Sequence, residues 1–441
     1  MKKILYFLLL IIYFVFCDDS LSQTSQEYKD RRERLMEHLS SESIIMIRGS
    51  NEVIRNGDVY YPFRQSSNFY YFTGIKEPDC MLFLSPGKGI YIDLKQKYVN
   101  ELIFVPKTDS QKELWDGPRP NIEEISKISQ IEEVLPNSEL EAYMENLLSK
   151  VDTLFFDDSN ISLFEPNTYE GKIIKRAKEK FYKFETASIN NKIIKMREIK
   201  SQSEMMLIKK AVSITAEAHK NVMKAVKPGM YEYELEAIIE YTFKKNGARE
   251  NGFLPIVGSG PFSCFLHYNK NDRKINAGDV VVIDIGAEYD MYTADITRTI
   301  PISGRFTKRQ KEIYNIVLKA HNEAIKLIKS GIRKDEIHKK SVEIISNGLI
   351  NLGLINEEKE YKRYYIHGTS HPIGLDVHDP ALSDVLMPGM IITVEPGIYI
   401  QQENLGIRIE DDVLITENGY EILSDSVPYT IEKIEKFIRN R

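Results

Sequence analysis

The sequence contains few of the residues that build disulfide scaffolds or thiolate metal sites. It has 3 cysteines and 1 tryptophan in 441 residues. The cysteines are Cys17, Cys80 and Cys264, and none of them belongs to a C-x-x-C pair. A disulfide framework and a cysteine-based zinc site are therefore excluded. The fold must be stabilised by apolar cores, and a chain of this length can bury enough surface for two domains.

The sequence also lacks a strong excess of charge of one sign. It carries 59 Lys and Arg residues against 65 Asp and Glu residues, a net charge of −6, and no basic stripe. Nucleic acid is not expected as a partner, because proteins that bind it present a concentrated positive surface. With 42% hydrophobic and 28% charged residues, the composition is that of an ordinary globular protein.

The apolar run near the N-terminus is too short for a membrane span. Ile4–Phe16 follows two lysines and covers thirteen residues, whereas a spanning helix needs about 20. A basic start, a short apolar run and small residues near Ser20–Leu21–Ser22 are typical of a secretory signal. We therefore expect residues 1–22 to direct export to the periplasm or outside the cell. An uncleaved membrane anchor and a lipoprotein attached through Cys17 are the alternatives.

Residues 25–190 alternate short apolar strands with helices, which predicts a mixed α/β domain. A charged helix is predicted over Ser25–Leu39, and further helices over Ser138–Leu148 and Lys172–Tyr182. The stretch Thr186–Lys200 is predicted to connect this domain to the next. The predicted strands are Ile44–Ile47, Met81–Leu84, Ile90–Ile92, Leu102–Val105 and Leu154–Phe156.

Residues 195–441 show the order helix, helix, strands twice, which indicates an internal repeat. Ser201 with Glu204 forms a capping-box pattern before the first helix of one half, and Thr307 with Gln310 does the same in the other. The later predicted elements are the helices Glu232–Lys245 and Asp335–Asn347 and the strands Val280–Ile285, Ala294–Ile302, Met390–Val394 and Ile407–Ile415.

Matching residues at constant offsets support this repeat. At an offset of 102, Lys227, Gly229 and Glu234 fall on Lys329, Gly331 and Glu336. At an offset of 111, His267, Gly278, Asp284 and Gly286 fall on His378, Gly389, Glu395 and Gly397. Acid falls on acid and histidine on histidine. A duplicated unit would place these pairs symmetrically about one central cleft.

Asp284 lies inside the apolar run Val280–Ile285, where an uncompensated carboxylate is costly. A hairpin that turns at Tyr289–Asp290 would place Asp295 directly opposite it. Cross-strand neighbours have Cβ atoms roughly 4.5–5.5 Å apart, and like charges at that distance repel. We therefore expect this pair of acids to share a proton or a metal ion.

The second half of the repeat supplies further ligand types. Glu395 follows the apolar run Met390–Val394, and Glu410 lies in the next predicted strand. Three of the 8 histidines, including His371, fall within residues 367–378. Four carboxylates and an imidazole suit a pair of Mn²⁺, Co²⁺ or Zn²⁺ ions. Two such ions roughly 3.5–4 Å apart can bridge a hydroxide and bind a carbonyl oxygen.

The set Asp284, Asp295, His371, Glu395 and Glu410 closely resembles the metal ligands of the pita-bread-fold metallopeptidases. That family includes methionine aminopeptidase, prolidase and Xaa-Pro aminopeptidase (aminopeptidase P). Three further segments are similar to aminopeptidase P, namely RNGDVYYPFRQSSNFYYFTGIKE from residue 55, ELWDGPRP from residue 113 and MREIKSQSE from residue 196. The resemblance implies an N-terminal α/β domain over residues 25–190. It also implies a catalytic pita-bread domain with a pseudo-two-fold repeat over residues 195–441.

The same resemblance implies roles for individual residues. Glu395 would be both a metal ligand and the general base towards the nucleophilic water. His367 and His378 would contact the substrate and stabilise negative charge on the scissile carbonyl. His267 would line the proline side of the pocket. Arg408 would orient Glu410 and the nearby acids.

The resemblance implies cofactors and partners as well. We expect two divalent ions, with Mn²⁺ preferred over Co²⁺ or Zn²⁺, and assembly into a homodimer or homotetramer. Trp115 would form a wall of the pocket, donated by a neighbouring subunit. The alternative for Trp115 is an aromatic side chain within a core or an interface.

The expected activity is removal of the first residue from peptides that have proline at the second position. Prolidase activity, restricted to Xaa-Pro dipeptides, is an alternative within the same fold. Methionine aminopeptidase is disfavoured because such enzymes lack the large first domain. An alternative from a different class is a non-catalytic pita-bread protein used for binding, although retention of all five ligands argues against it.

Overall fold

The computed structural model describes residues 23–87, 89–92, 96–107, 109–159, 169–180 and 183–440. The signal expected at residues 1–22 lies outside these ranges. The described chain forms two compact units, one of Gln23–Met196 and one that begins at Arg197. Within the described ranges, none of the helices combines the length and the apolar character that crossing a membrane requires.

The first unit is built on a mixed sheet. Its strands are β1 (Ser43–Arg48), β2 (Ile54–Asn56), β3 (Val59–Tyr60), β4 (Met81–Leu84), β5 (Ile90–Ile92), β6 (Lys97–Val99), β7 (Glu101–Val105), β8 (Val134–Pro136), β9 (Thr153–Phe156) and β10 (Glu185–Ser188). Six of these described strands form one sheet in the order β10-β9-β1-β4-β7-β8, with parallel and antiparallel neighbours. The predicted mixed α/β architecture is therefore confirmed.

Helices flank the strands of this sheet along the chain. They are α1 (Ser25–Met36), α2 (Ser67–Thr73), α3 (Ser110–Asp116), α4 (Ile122–Ser129), α5 (Leu140–Leu148), α6 (Tyr169–Lys180) and α7 (Asn190–Glu198), with a 3-10 turn at Asn137–Glu139. The stretch Thr186–Lys200, predicted to connect the two domains, contains the boundary between the two units and has regular secondary structure. That stretch completes β10 and forms α7, because the buried Ile189 and Ile193 give it an apolar face.

The second unit combines long helices with short strands. Its helices are α8 (Gln202–Ala225), α9 (Glu232–Lys245), α10 (Lys308–Lys326), α11 (Lys334–Asn351) and α12 (Ile431–Arg439), with 3-10 turns at Gly260–Cys264, Glu358–Arg363 and Gln401–Glu403. Its strands are β11 (Glu250–Asn251), β12 (Ile256–Ser259), β13 (Val280–Ile285), β14 (Ala287–Tyr289), β15 (Tyr292–Thr293), β16 (Ile296–Pro301), β17 (Ile391–Val394), β18 (Gly397–Ile400), β19 (Leu405–Arg408), β20 (Asp411–Thr416) and β21 (Gly419–Ile422).

Both predicted capping boxes begin the long helices of this unit. The Ser201 hydroxyl accepts a hydrogen bond from the backbone N–H of Glu204, and the N–H of Ser201 donates to the carboxylate of Glu204. Thr307 and Gln310 make the same reciprocal pair at α10. Each pair satisfies two N–H groups that the first helical turn leaves free. The apolar faces of α8 and α10 are buried in one core with the strands.

The internal repeat is confirmed by equivalent backbone geometry in the two halves. Gly229 and Gly331 adopt φ values of +91° and +87°, a conformation that glycine adopts without steric cost. Their N–H groups donate to the carbonyls of Ile275 and Leu386, each at 2.9 Å. These two acceptors are separated by the 111-residue offset found in the sequence. The two helix pairs therefore join their strands in the same way.

Each half contains a long hairpin whose two ends belong to different sheets. In the first half β13 pairs with β16, while β14 and β15 pair in a separate sheet. In the second half β17 pairs with β20, while β18 and β19 pair with each other. The strand predicted at Ala294–Ile302 corresponds to β16 and is confirmed within two residues at each end. The single strand predicted at Ile407–Ile415 is wrong, because its first part lies in β19, which pairs with β18, and its second part lies in β20, which pairs with β17.

The predicted register of the first hairpin is also wrong by one residue at the turn. Asp284 pairs with Thr297, and the turn lies at Asp290–Met291 rather than Tyr289–Asp290. Both turn residues have positive φ, 49° and 73°, which matches the right-handed twist of a two-residue hairpin. Asp295 is therefore displaced by two residues from the position directly opposite Asp284.

Candidate metal centre

The four predicted carboxylates lie where the two hairpins change sheets. Asp284 is near the end of β13 and Asp295 immediately precedes β16, while Glu395 follows β17 and Glu410 precedes β20. All four line one cavity of about 430 Å³. The strands bury their apolar side chains in the core. The breaks between the strands leave room for polar side chains, and the four acids lie at or near these breaks.

Glycine makes the first of these bends possible. A Cβ atom at Gly286 would lie 1.8 Å from the carbonyl oxygen of Ala294, which no larger residue can tolerate. The equivalent Gly397 is covered by the side chain of Tyr399, whose hydroxyl would lie 2.5 Å from a Cβ atom there. The backbone at Gly286 and the backbone at Ala294 approach closely, and this places Asp284 and Asp295 in the same cavity.

His371 brings a nitrogen ligand to these oxygens. Its Nε2 lies 3.5 Å from Asp295 Oδ2 and 3.6 Å from Glu395 Oε1. Its Nδ1 faces the carbonyl oxygen of Pro372 at 3.1 Å, an arrangement that leaves Nε2 free to bind a metal ion. One ligand atom each from Asp295, His371 and Glu410 lie within 4.8 Å of one another.

The concentration of negative charge requires compensation. Burial and then the neighbouring carboxylates raise the pKa of Asp295 well above its ordinary value. Burial and then Asp284 and Glu395 do the same to the pKa of Glu410. Among the described residues, Asp284 Oδ1 and Asp295 Oδ1 are buried and receive no hydrogen bond. Buried oxygens of this kind fit divalent cations, because carboxylate and imidazole ligands suit such ions.

Arg408 and Thr297 hydrogen-bond to two of the carboxylates, Asp284 and Glu410. Arg408 donates from Nη2 to Asp284 Oδ2 at 2.6 Å and from Nε to Thr297 Oγ1 at 3.0 Å. The Thr297 hydroxyl donates to Glu410 Oε2 at 2.6 Å. One oxygen of Asp284 and one oxygen of Glu410 are thus held by hydrogen bonds, which set the orientation of both carboxylates. Such outer contacts orient metal ligands and tune their basicity.

Glu395 has a different electrostatic environment from the other acids. Burial raises its pKa, but the contact with His367 and the charges of His367 and His371 outweigh burial and leave the pKa below its ordinary value. His367 Nδ1 lies 3.4 Å from Glu395 Oε2. His367 Nε2 lies 2.8 Å from the hydroxyl of Tyr399, which also accepts from Arg408 Nη1 at 2.9 Å.

The other two predicted histidines lie at the rim of the same cavity. His378 and His267 both line it. The ring of His378 packs edge to face against that of His371, with centroids 4.4 Å apart. Partial burial and then the neighbouring His371 lower the pKa of His378, which favours its neutral form. A neutral imidazole can donate one hydrogen bond to an oxygen in the cavity.

Trp115 is the predicted site residue that the structure does not place in this cavity. It belongs to α3 in the first unit, a helix without buried residues, and its side chain is 89% exposed. The interpretation of Trp115 as a core aromatic is therefore wrong for the chain as folded. The expected role as a pocket wall donated by another subunit stays a prediction.

Several site residues were missed in the sequence. Thr297 and Tyr399 carry no charge, and no spacing rule marks them, although the register of β13 with β16 places Thr297 opposite Asp284. The apolar walls were also missed, because apolar residues are unremarkable in sequence. These walls are Phe253, Leu254, Ile256, Leu266 and Val377.

Comparisons with known proteins agree with this geometry. Residues 206–417 match the model of Metallopeptidase family M24, and residues 28–155 match Aminopeptidase P, N-terminal domain. The chain is 35% identical over 439 residues to Xaa-Pro aminopeptidase of Escherichia coli K12, covering 93% of this chain and 97% of that protein. The chain belongs to the aminopeptidase P family of M24 metallopeptidases.

Solved structures of this family share the complete fold. Proline aminopeptidase P II from Yersinia pestis superposes with a TM-score of 0.88 at 33% identity, covering 95% of this chain and 100% of that one. Zinc-substituted E. coli aminopeptidase P in complex with product superposes with a TM-score of 0.87 at 34% identity, covering 95% and 99%. As a member of this family, the chain is a hydrolase with a divalent metal centre, and the predicted family and fold class are confirmed.

Proposed function

We propose that the chain removes the first residue from peptides whose second residue is proline. The observation that carries this proposal is the convergence of four carboxylates and His371 in one cavity. Support for the substrate comes from the relatives, which are named Xaa-Pro aminopeptidase and include an E. coli structure with the inhibitor Pro-Leu. The roles assigned below to single residues are part of the proposal.

Asp284, Asp295, His371, Glu395 and Glu410 would hold two divalent ions, for which we propose Mn²⁺ before Co²⁺ or Zn²⁺. When bound, such ions supply an activated water and polarise a carbonyl oxygen. The hard oxygen ligands favour Mn²⁺, while the imidazole accommodates the other two ions. The orphaned oxygens of Asp284 and Asp295 supply lone pairs that the described residues leave unused.

Glu395 is the residue that accepts a proton from the attacking water. Its lowered pKa keeps it ionised at neutral pH, and its position beside His371 places it within the cavity. His367 contacts Glu395 on one side and Tyr399 on the other. These contacts orient the Glu395 carboxylate and stabilise its negative charge.

His378 and His267 would act on the substrate. As a neutral donor at the cavity rim, His378 would hydrogen-bond the oxygen of the scissile carbonyl as negative charge develops there. His267, with the apolar walls of the cavity, would contact the proline ring. The acidic interior would bind the free amino group of the peptide, which explains cleavage at the first peptide bond only.

Product analysis distinguishes this activity from that of prolidase. The purified protein, loaded with Mn²⁺, is incubated with Xaa-Pro, Xaa-Pro-Xaa and a pentapeptide with proline second. We expect the free first residue and a shortened peptide from the two longer substrates. Hydrolysis confined to the dipeptide would establish prolidase instead.

The non-catalytic alternative is tested with the same substrates after metal removal. We expect the metal-free protein to lose hydrolysis and to regain it when Mn²⁺ is added. Equal rates before and after chelation would exclude metal-dependent chemistry, and no hydrolysis in either state would support a binding role.

We also propose that the chain assembles into a homodimer or homotetramer through its first unit. Support comes from apolar side chains left exposed there, namely Val53, Ile54, Val59, Tyr60, Tyr61, Leu114 and Trp115. Extensive exposed apolar surface is typical of protein interfaces. Light scattering after gel filtration would give the mass, and a monomer at micromolar concentration would contradict the proposal.

We further propose that residues 1–22 direct export and are removed. Support comes from the sequence pattern of a basic start, an apolar run and small residues. Cell fractionation combined with N-terminal sequencing of the mature protein tests this. An intact N-terminus in the cytoplasmic fraction would contradict it.

A further inference from the structure

The loop from His371 to Asp379 carries two imidazoles of the site. Its ends are joined by a hydrogen bond from the N–H of Asp379 to the carbonyl of Pro372 at 3.0 Å, and the N–H of Ile373 donates to Ile391 in β17 at 3.1 Å. His378 stands beside His371 in this loop. The positions of both rings therefore depend on what holds the loop in place.

The buried carboxylate of Asp379 fixes the inside of the loop. It occupies the space that a Cβ atom at residue 374 would need, 2.7 Å from the nearest Asp379 oxygen, so only glycine fits there. It also accepts from the N–H of Asp376 at 3.2 Å. A buried carboxylate requires cations or donors in contact with it. The loop itself supplies one such donor, the N–H of Asp376.

The cations come from a segment outside the loop, at the end of α7. Arg197 donates from Nη2 to Asp379 Oδ1 and to Asp376 Oδ2, at 2.5 Å and 2.7 Å. Lys200 Nζ lies 3.2 Å from Asp379 Oδ2. Arg197, Lys200 and Asp379 are each buried. Two cations are thus paired with two carboxylates inside the second unit.

Glu198 holds the continuation of the same loop by a separate contact. Its Oε1 accepts from the N–H groups of Leu382 and Ser383 at 2.6 and 2.7 Å. The N–H of Lys200 donates to the carbonyl of Gly389, just before β17, at 3.0 Å. The segment 197–200 therefore contacts the chain after His371 at three successive places.

We infer that Arg197, Glu198 and Lys200 form a loop clamp that positions His371 and His378 for the reaction. This inference rests on the proposed function, because those two histidines are its proposed ligand and substrate contact. The three clamp residues do not line the cavity themselves. They are positioning residues that act through Asp376, Asp379 and the loop backbone.

Hydrogen–deuterium exchange tests the clamp without using activity. Arg197→Met removes the paired cation, and Glu198→Ala removes the acceptor of two amides. We expect faster exchange in peptides covering residues 371–386 of both variants, with unchanged exchange in α8. Arg32→Met is the matched control, since it removes a buried arginine that pairs with Glu101 in the first unit and leaves the loop contacts intact.

Kinetics provide the second measurement. A displacement of catalytic groups by about 1 Å can cost about 10²-fold in rate. We therefore expect Arg197→Met to lower kcat for Xaa-Pro-Xaa by about that factor, with a smaller change in KM. Arg197→Lys, which keeps a cation beside Asp379, should recover most of the loss. Arg32→Met should leave kcat unchanged.

Two results would overturn the clamp. One is loop exchange in Arg197→Met and Glu198→Ala that equals the wild type. The other is an increase spread equally over α8, which would indicate general destabilisation. Exchange is measured with and without Mn²⁺ and needs no substrate. If the parent protein cleaves no proline peptide while the loop still opens in the variants, the proposed function fails, and Arg197, Glu198 and Lys200 hold the loop without a role in that reaction.

Discussion

Asp295 and Glu410 are buried acids whose raised pKa values make them proton-binding sites in the metal-free chain. Between the ordinary carboxyl pKa and the raised folded value, the folded chain binds more protons than the unfolded chain. The free energy of unfolding of the metal-free protein therefore falls as pH rises through that window. Binding of the proposed ions at these two acids would reverse this effect, because the ions would replace the protons.

We predict that Mn²⁺ binding at neutral pH releases protons and raises the Tm more at about pH 7.5 than at about pH 5. Isothermal titration calorimetry in two buffers of different ionisation enthalpy measures the release. An identical heat of binding in both buffers would contradict the assignment of Asp295 and Glu410 as ligands.

Glu395 is the residue at which a nearly isosteric change should affect chemistry most. Glu395→Gln keeps the shape but cannot accept the proton of the attacking water. General base catalysis contributes about 10²–10⁴-fold, and the lost ligand charge adds to this. We predict a fall in kcat of several orders of magnitude with a folded chain by circular dichroism. Turnover near the wild-type value would reject Glu395 as the base.

His371 and His378 are adjacent rings for which different losses are expected. His371→Ala should remove metal and activity together, because Nε2 faces the carboxylates. His378→Ala should depress turnover while both ions stay bound, because its proposed partner is the substrate. Metal content by mass spectrometry distinguishes the two variants. Loss of metal from His378→Ala would show that it is a ligand.

At the scale of elements, the bend after β13 brings two proposed ligands, Asp284 and Asp295, together. Gly286 allows the chain to pass the carbonyl of Ala294, where a Cβ atom would lie 1.8 Å away. Gly286→Ala should destabilise the fold by about 1–3 kcal/mol or more and weaken metal binding. Gly368→Ala is the control, since a Cβ atom there meets nothing within 4 Å. Equal urea denaturation midpoints would contradict this account of the bend.

Sequence patterns predicted most elements because their signals are local. Capping boxes at Ser201 and Thr307 and the apolar periodicity of α8 and α10 need only near neighbours. The division of the strand at Ile407–Ile415 depends on which distant strands pair with each part, and residue spacing does not contain that information. The register of Asp284 with Thr297 was missed for a related reason, since a turn at Asp290–Met291 lacks the usual glycine or asparagine.

The sequence predicted those site residues whose charge is unusual for their surroundings. It did not predict the uncharged residues of the site. Acids within apolar runs, such as Asp284, are costly and therefore informative. Thr297 contacts the proposed ligand Glu410, and Tyr399 contacts His367. Threonine and tyrosine occur in many structural contexts, so only the folded structure identifies these two. The clamp residues Arg197 and Glu198 lie about 180 residues from their partners in the chain, beyond the reach of any motif.

At the scale of the whole molecule, duplication explains how the proposed ligands, which are distant in the chain, meet in one cavity. The two hairpins occupy equivalent places in the two halves, so Asp284 and Glu395 enter one cavity from both sides. The fold therefore creates a centre that neither half contains alone. Removing the ions should weaken the association of the halves, and we predict a lower Tm for the metal-free chain at neutral pH.

The central claim is that this cavity binds two ions and that hydrolysis depends on them. The most direct measurement is a titration of metal-free protein with Mn²⁺, following both bound metal and release of the first residue from Xaa-Pro-Xaa. We predict that the rate rises from near zero and reaches its plateau at two ions per chain. A rate that is already maximal without metal, or two bound ions without any hydrolysis, would contradict the account.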